Sequence, residues 1–332
     1  APTPPYDIAG WTLAYQMGIE FDRVLDGFEG PFESVTDWNV APPRGVVSGA
    51  PNSRGYVFSA RPNDSFIALN RLLKAGEEVS RLSAGLTVGS TVFPAGSFYV
   101  KAGKATRAQV QKIADEVGLS FEGTRDAAPV TAARMKTVRV GLWDQYGGSM
   151  PSGWTRWILE QFEFPFERVF APQLDAGGLN AKYDVLIFVT GAIPGAGTGR
   201  RGGGAGPGGL DPSTLPAEYR DQYGSMTIEK TLPAIQSFIE NGGTAIAIGS
   251  SATNLAAFLK LPVESQLAEN GQPLPGTKFF IPGSILRARA DVNDPLAFGL
   301  TENVDVFFDE SPAFRLGANA AAAVSLPSGL II

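Results

Sequence analysis

Three apolar runs limit what this chain can become. TVRVGLW at 137–143, YDVLIFV at 183–189 and TAIAIGS at 244–250 are short, nearly continuous and rich in strand-forming residues. Runs of this kind read as strands buried on both faces, as in a parallel sheet covered by helices. Helical signals lie between them. Met150-Pro151-Ser152 opens a helix in which Trp154, Trp157, Ile158 and Phe162 recur through Phe164. Thr227 precedes IEKTLPAIQSFIENGG, which stops at Gly242-Gly243, and TNLAAFLKL follows at 253–261. ERVF at 167–170 adds a short strand, and 174–179 reads as a turn-rich connector. The alternation predicts an α/β fold built on a doubly wound, mostly parallel sheet. VFFD at 306–309 and AFRL at 313–316 are expected to close it.

A smaller α/β domain precedes that sheet. After an extended entry at Pro2, Pro4 and Pro5, strands are expected near 20–25, 45–48, 56–60, 79–82 and 96–100. A helix from Ser65 to Lys74 repeats Phe66, Leu69, Leu72 and Leu73 at helical spacing, with Asn63 or Asp64 as its cap and Gly76 as its stop. A second helix after Thr106 places Val110, Ile113, Ala114 and Val117 on one face and ends at Gly118. The small, polar, Pro-containing link DAAPVTAARMK at 126–136 marks a boundary, giving domains 1–130 and 131–332.

Composition narrows the chemistry. The 332 residues include no Cys and no His. A thiol nucleophile, a disulfide, a Cys/His zinc site, a Ser-His-Asp triad and a His general base therefore cannot come from these residues alone. The net charge is −6 and no Lys/Arg cluster forms a nucleic-acid groove; Arg200-Arg201 is too little. No apolar run approaches the roughly 20 residues of a membrane-spanning helix. The first residues lack the pattern of a signal peptide, and both ends read as those of an excerpt from a longer polypeptide.

Several segments invite a functional reading. The turn after the first buried strand gathers Asp144, Gln145, Tyr146 and Ser149 around Gly147-Gly148, with Trp154 just inside the next helix. Ligands bind at such strand ends in open α/β sheets, so this is the candidate ligand or interdomain contact site; the plain alternative is a well-packed turn. Ser250 and Ser251 fall at a strand-to-helix turn, where a nucleophile would sit, but G-x-S-x-G is not matched and no His is there to activate them. Ser251 or Thr253 is expected to cap the helix instead. The glycine-rich stretch 195–209 follows a strand, yet matches neither dinucleotide nor phosphate-loop spacing and reads as a surface loop. Asp184, Asp291, Asp294, Asp305, Asp309 and Glu310 are scattered, with no calcium-loop pattern.

The blocks YDIAGWTLAYQMG (6–18), FIALNRLLKAGEEV (66–79) and GLWDQYGGSMPSGWTRWILEQFEFPFERVFAPQLDAG (141–177) are distinctive. With KYDVLIF (182–188), GGTAIAIGSS (242–251), FFIPGSILRARAD (279–291) and DVFFDESPAFRL (305–316), they resemble the C-terminal region of large bacterial zinc carboxypeptidase-like proteins of the peptidase M14 family. The resemblance implies a class I glutamine amidotransferase-like domain in 131–332 that carries no peptidase chemistry. It places the zinc, held by a His-x-x-Glu pair and a later His, in a peptidase domain upstream. No zinc ligand maps onto this chain, and the turn of the missing catalytic Cys falls at Ser250-Ser251. The implied setting is secreted or periplasmic, with the upstream domain as partner, a peptide as possible substrate, and no cofactor in this chain. The implied role is that of an accessory, non-catalytic region that packs against the upstream peptidase domain or positions its substrate, and two alternatives stand beside this accessory reading. One is a carbohydrate- or peptide-binding module using Trp143, Asp144, Tyr146 and Trp154. The other is a hydrolase working through carboxylates or serine.

Overall fold

A computed structural model describes residues 13–39, 41–195, 211–269, 272–281, 283–308, 311–317 and 330–331. The proline entry, the glycine-rich stretch beyond Gly195, Asp309 and Glu310 lie outside the described residues. The chain divides into two compact units, Ala1–Thr137 with Pro282–Asp309, and Val138–Ile281 with Glu310–Ile332.

The first unit begins with α1 (Leu13–Met17) and a long irregular stretch. It continues through β1 (Gly55–Phe58), α2 (Ser65–Lys74), β2 (Val79–Arg81), β3 (Leu86–Val88) and β4 (Thr91–Phe93). Then come β5 (Phe98–Lys101), α3 (Thr106–Val117), β6 (Glu122–Thr124) and β7 (Ala133–Arg134). The sheet runs β6-β1-β5-β2-β7 with every pairing antiparallel. Leaving aside β7 and the β3–β4 hairpin, this is a split βαββαβ arrangement. The pleat sorts its two faces. Tyr56, Phe58, Phe98 and Val100 pack with Leu69 and Leu72 of α2 and Val110 and Ile113 of α3. Val57 and Tyr99 point the other way, onto Leu82, Val88 and Phe93. Both helices match their expected spans, and Gly118 adopts φ 78° at the end of α3, a left-handed turn that suits glycine. Asp64 stands at the start of α2 but its side chain makes no capping bond. The strands expected at 20–25 and 45–48 do not form: 20–25 is exposed and irregular, and Val47 makes only an isolated bridge to Phe121.

The second unit contains β8 (Val140–Trp143), α4 (Met150–Gln161), β9 (Phe166–Val169), α5 (Ala171–Asp175) and β10 (Val185–Phe188). It continues with α6 (Thr231–Glu240), β11 (Thr244–Ala247), α7 (Ser250–Phe258), β12 (Val263–Ser265) and the short β13 (Ala268–Glu269) and β14 (Gln272–Pro273). A short helix not expected from the sequence, α5, with Pro172 in its first turn, takes the first two residues of the connector expected at 174–179, and 176–178 is turn and irregular chain. The chain then forms β15 (Ser284–Arg289) and β16 (Asn303–Phe308), an antiparallel pair belonging to the first unit. β17 (Phe314–Leu316) pairs with β12, and β18 (Leu330–Ile331) lies beside β11. Hence 306–309 and 313–316 do not close the large sheet. Period-2 apolar patterning fits any half-buried strand, whatever its partner.

The second unit's sheet is parallel throughout, in the order β9-β8-β10-β11-β18. The two units together are an α/β protein with one antiparallel and one parallel five-stranded sheet. Leu142, Leu186 and Phe188 are fully enclosed, packed with Leu232, Ile235 and Phe238 of α6. At the opposite end from the strand tips, the Arg139 guanidinium forks onto Asp184 at 2.7 and 3.1 Å and donates to Asn180 O at 3.0 Å, tying β8 to the lead-in of β10. Among the described residues no helix is long and apolar enough to cross a membrane.

One charge pair registers the β15–β16 hairpin. Arg287 faces Asp305 across it and donates to both carboxylate oxygens at 2.9 and 3.1 Å. These hydrogen bonds hold the Asp305 carboxyl below the usual carboxylate range. A lowered folded value makes the pair stabilising above the unfolded-state value, with that contribution lost as pH falls through the folded one. Denaturant midpoints at pH 7 and pH 3 should therefore differ less for Asp305→Asn than for the natural chain. An unchanged pH dependence would remove the pair from this role.

Candidate functional site

The parallel sheet sets the first place to look. β8 is flanked by β9 and β10, so the chain leaves in one direction after β8 and returns on the other side for β10. Loops diverge at such a switch point, which is where ligand crevices form in sheets of this kind. The segments that reach it are 144–149 after β8 and 189–195 after β10.

The first loop is held from within. Asp144 is nearly buried; its carboxylate accepts from Gln145 N at 2.9 Å and faces Arg168 of β9 at 3.7 Å. The Arg168 guanidinium lies 5.7 Å over the Phe170 ring. Gln145 donates through Nε2 to Gly148 O at 2.9 Å, while its Oε1 is buried without a hydrogen-bond partner. Gly147 and Gly148 both take φ 82°, a backbone that side chains resist, and this lets the loop fold back onto Gln145. Ser149 caps α4 by accepting from Ser152 N at 3.2 Å, and Ser152 donates to Trp143 O at 2.7 Å. Tyr146 stands edge-on to Tyr219 and Tyr223, with ring centroids 6.2 and 5.8 Å away.

The aromatic residues expected to share a site do not share one. Trp143 is buried in the core, with its Nε1 unpartnered. Trp154 is 64% exposed on α4, edge-to-face with Trp157. Met150, Trp154, Trp157 and Ile158 make an exposed apolar stripe, and Ser152 is the only fully buried residue of α4. Asp144, Gln145, Tyr146 and Ser149 do lie together at the end of β8.

The turn after β11 is the second candidate. Its sharp residue is Gly249, with φ 59° and ψ −130°, a conformation that side chains enter only under strain. This is the elbow position between strand and helix, one residue before Ser250. A Cβ at 249 would come within 2.6 Å of Thr190 Oγ1. The Ser250 hydroxyl lies 3.2 Å from Thr190 Oγ1 and accepts from Gly191 N at 2.9 Å. Ser251 is fully buried; its hydroxyl donates to Val189 O at 2.6 Å and accepts from Ile193 N at 3.0 Å. Neither Ser251 nor Thr253 caps α7, because Gly249 holds the N-cap position and Ser251 faces across to the loop after β10. Ser251→Ala strands a buried N–H and a buried carbonyl, and should cost about 2 kcal/mol, against about 0.5 kcal/mol for the exposed Ser250→Ala. Urea denaturation of both variants checks the order; equal losses would mean Ser251 does not stitch the two loops.

Sequence reasoning did not single out Thr190, Gly249, Tyr219 or Tyr223. Thr190 was within reach, since it directly follows a buried strand of the sheet. Nothing in the spacing of Tyr219 and Tyr223 announces that they meet Tyr146.

The zinc implied by the resemblance has no fitting donors here. The chain lacks His and Cys, and among the described residues no three carboxylates converge as a metal site. A cavity of about 690 Å³ lies in the first unit, walled by α1, residues 18–21, Arg61, Asn63 and the β15–β16 hairpin. Its chemistry is mixed: the Arg287–Asp305 pair is already satisfied, and Tyr15 and Phe21 touch each other edge-on at 4.9 Å. No family model matches the chain, and neither a curated protein nor a solved structure matches it.

Proposed function

We propose that this chain is an accessory, non-catalytic region of a larger secreted or periplasmic polypeptide of the zinc carboxypeptidase-like type. In this reading the second unit is a class I glutamine amidotransferase-like domain that has lost its nucleophile. The first unit and the second together pack against an upstream peptidase domain or position its peptide substrate. The single observation that carries the reading is the turn after β11: Gly249 takes φ 59° and ψ −130° between strand and helix, and a side chain in its place would run into Thr190. The strand order β9-β8-β10-β11-β18, second-first-third-fourth-fifth in sequence, is that of flavodoxin-like sheets and supports the domain type. The bonded state of Ser250 and Ser251 weighs against serine chemistry at the same turn.

The test compares the intact natural polypeptide with residues 1–332 alone. Zinc content and release of C-terminal residues from peptides are measured for both. Zinc and activity are expected in the intact polypeptide, and neither in 1–332. Hydrolysis by 1–332 on its own would overturn the accessory reading.

A second reading, a carbohydrate- or peptide-binding module, is favoured by the buried, unpartnered Gln145 Oε1 beside the Tyr146 cluster. Aromatic faces with a nearby amide suit a hydroxylated or peptidic ligand. Chemical-shift changes confined to Gln145, Tyr146, Tyr219 and Tyr223 on adding oligosaccharides or peptides would support it. Their absence across both ligand classes would end it.

A further inference from the structure

Residues 13–39 combine apolar side chains with charge in a way the first unit leaves unused. None of these residues is buried, and Ala14 alone is half-buried. Residues 14–21 wall the cavity beside the β15–β16 hairpin. Beyond them the described residues form no helix or strand until β1, and the large side chains of 24–38 stand in solvent. Val24, Leu25, Phe28, Phe32, Val35 and Trp38 are all exposed, Phe28 by 66% and Trp38 by 95%. Phe28 and Phe32 meet edge-on, with ring centroids 5.3 Å apart. Segments that live in water without a partner are poor in aromatic residues, because exposed rings gain by burial. So dense an exposed apolar run marks an interaction surface.

Charge decides what covers it. The segment holds six acids and one arginine, a net −5, against −6 for the whole chain. The remainder of the chain is close to neutral, with 26 Lys and Arg against 27 Asp and Glu, so a second copy brings no net positive charge to draw the segment. Anionic lipid surfaces repel an acidic segment. What complements it is a folded surface with apolar pockets rimmed by Lys and Arg.

We propose that residues 22–39 are a docking strap that lies, extended, across a basic and apolar-pocketed face of another domain of the same polypeptide. Phe28, Phe32 and Trp38 are its anchors, as large aromatic side chains carry most of the energy of such contacts. The carboxylates at its rim pair with cations and set the register. Gly27, Gly30 and Pro31 suit an extended path over a helical one. This proposal rests on the accessory reading, since it needs a further domain.

Hydrogen exchange tests it on the intact natural polypeptide and on residues 1–332 alone. In 1–332 the amides of 22–39 should exchange at nearly free rates, and in the intact polypeptide roughly 100-fold more slowly. Phe28→Ser with Trp38→Ser in the intact polypeptide should return the segment to the fast rate while exchange in α2 and α3 stays unchanged. Glu29→Gln, Glu33→Gln and Asp37→Asn together should weaken protection, as should 1 M salt. Equal, fast exchange in both forms overturns the proposal. So does protection that appears in 1–332 only with rising concentration, which assigns the strap to a second copy. Protection that needs vesicles of anionic phospholipid overturns it as well. Zinc content and peptidase activity report separately on the accessory reading. A protected strap in a polypeptide without a peptidase removes that reading and leaves the docking; an active peptidase with a fast-exchanging strap does the reverse.

Discussion

Gly249→Ala is expected to lower the stability of the second unit by about 3 kcal/mol. Two costs combine. The backbone at φ 59° and ψ −130° is strained for any residue with a Cβ, and that Cβ would press on Thr190, 2.6 Å from its hydroxyl and 2.8 Å from its Cβ. Thr190 cannot step aside freely, because its hydroxyl accepts from Ser250 N at 3.2 Å. The double variant with Thr190→Ala relieves only the contact with the hydroxyl, since the Cβ at 190 and the backbone strain both remain, so less than half of the loss should return. Denaturant midpoints of the natural chain, both single variants and the double variant give the cycle. Natural stability in Gly249→Ala would mean the turn relaxes to an ordinary helix start, and the elbow would cease to be a constraint.

Phe58→Ala is the larger expected loss, about 4 kcal/mol. Phe58 has no exposed surface, and its ring sits 5.1 Å from that of Phe98 and 5.0 Å from that of Phe121. It comes from the central strand pair of the antiparallel sheet and faces both helices, so truncation opens a cavity that no single neighbour can fill. Phe58→Leu keeps most of the volume and should lose less than half as much. The measurement is amide exchange in β1, β5, α2 and α3, where opening should accelerate together. A loss below about 1 kcal/mol would place the core's weight elsewhere.

These two positions also show what the letters disclose. Helices α2 and α3 were legible because their apolar residues recur at helical spacing and all face one sheet. The strands β8, β10 and β11 were legible because burial on both faces leaves an unbroken apolar run. The β3–β4 hairpin also carries a local signal: Gly89-Ser90 is a two-residue loop between LTV and TVF, and Gly89 takes φ 59°. The partner of β16 is not legible in its apolar pattern, which fits either sheet. The cue was electrostatic, Asp305 opposite Arg287. α4 is the converse case. Its Trp154–Trp157–Ile158 periodicity shows a face that favours cover, but not that these residues provide it. At the candidate site, Asp144, Gln145, Tyr146 and Ser149 were found because a glycine pair after a buried strand is a local signal. At the turn after β11 Ser250 carries the chemistry that draws attention, while the sharp conformation belongs to Gly249, which has no side chain.

Among the described residues β9 is an edge strand of the parallel sheet, and this has a consequence for the protein in concentrated solution. β9 pairs with β8 on one side, and Val169 O accepts from Asp144 N at 3.0 Å, so Val169 and Glu167 turn their backbone groups inward. By alternation, Phe166 and Arg168 present theirs outward. If two copies joined antiparallel about a two-fold axis, the registers centred on the strand would set Glu167 against its own image or Arg168 against its own image. Like charges directly opposite repel. The edge therefore penalises the pairing that symmetry makes easiest, a built-in guard against fusing two sheets edge to edge. Neutral residues at both positions would disarm it, and a dimer formed with rising protein concentration would be the phenotype to watch.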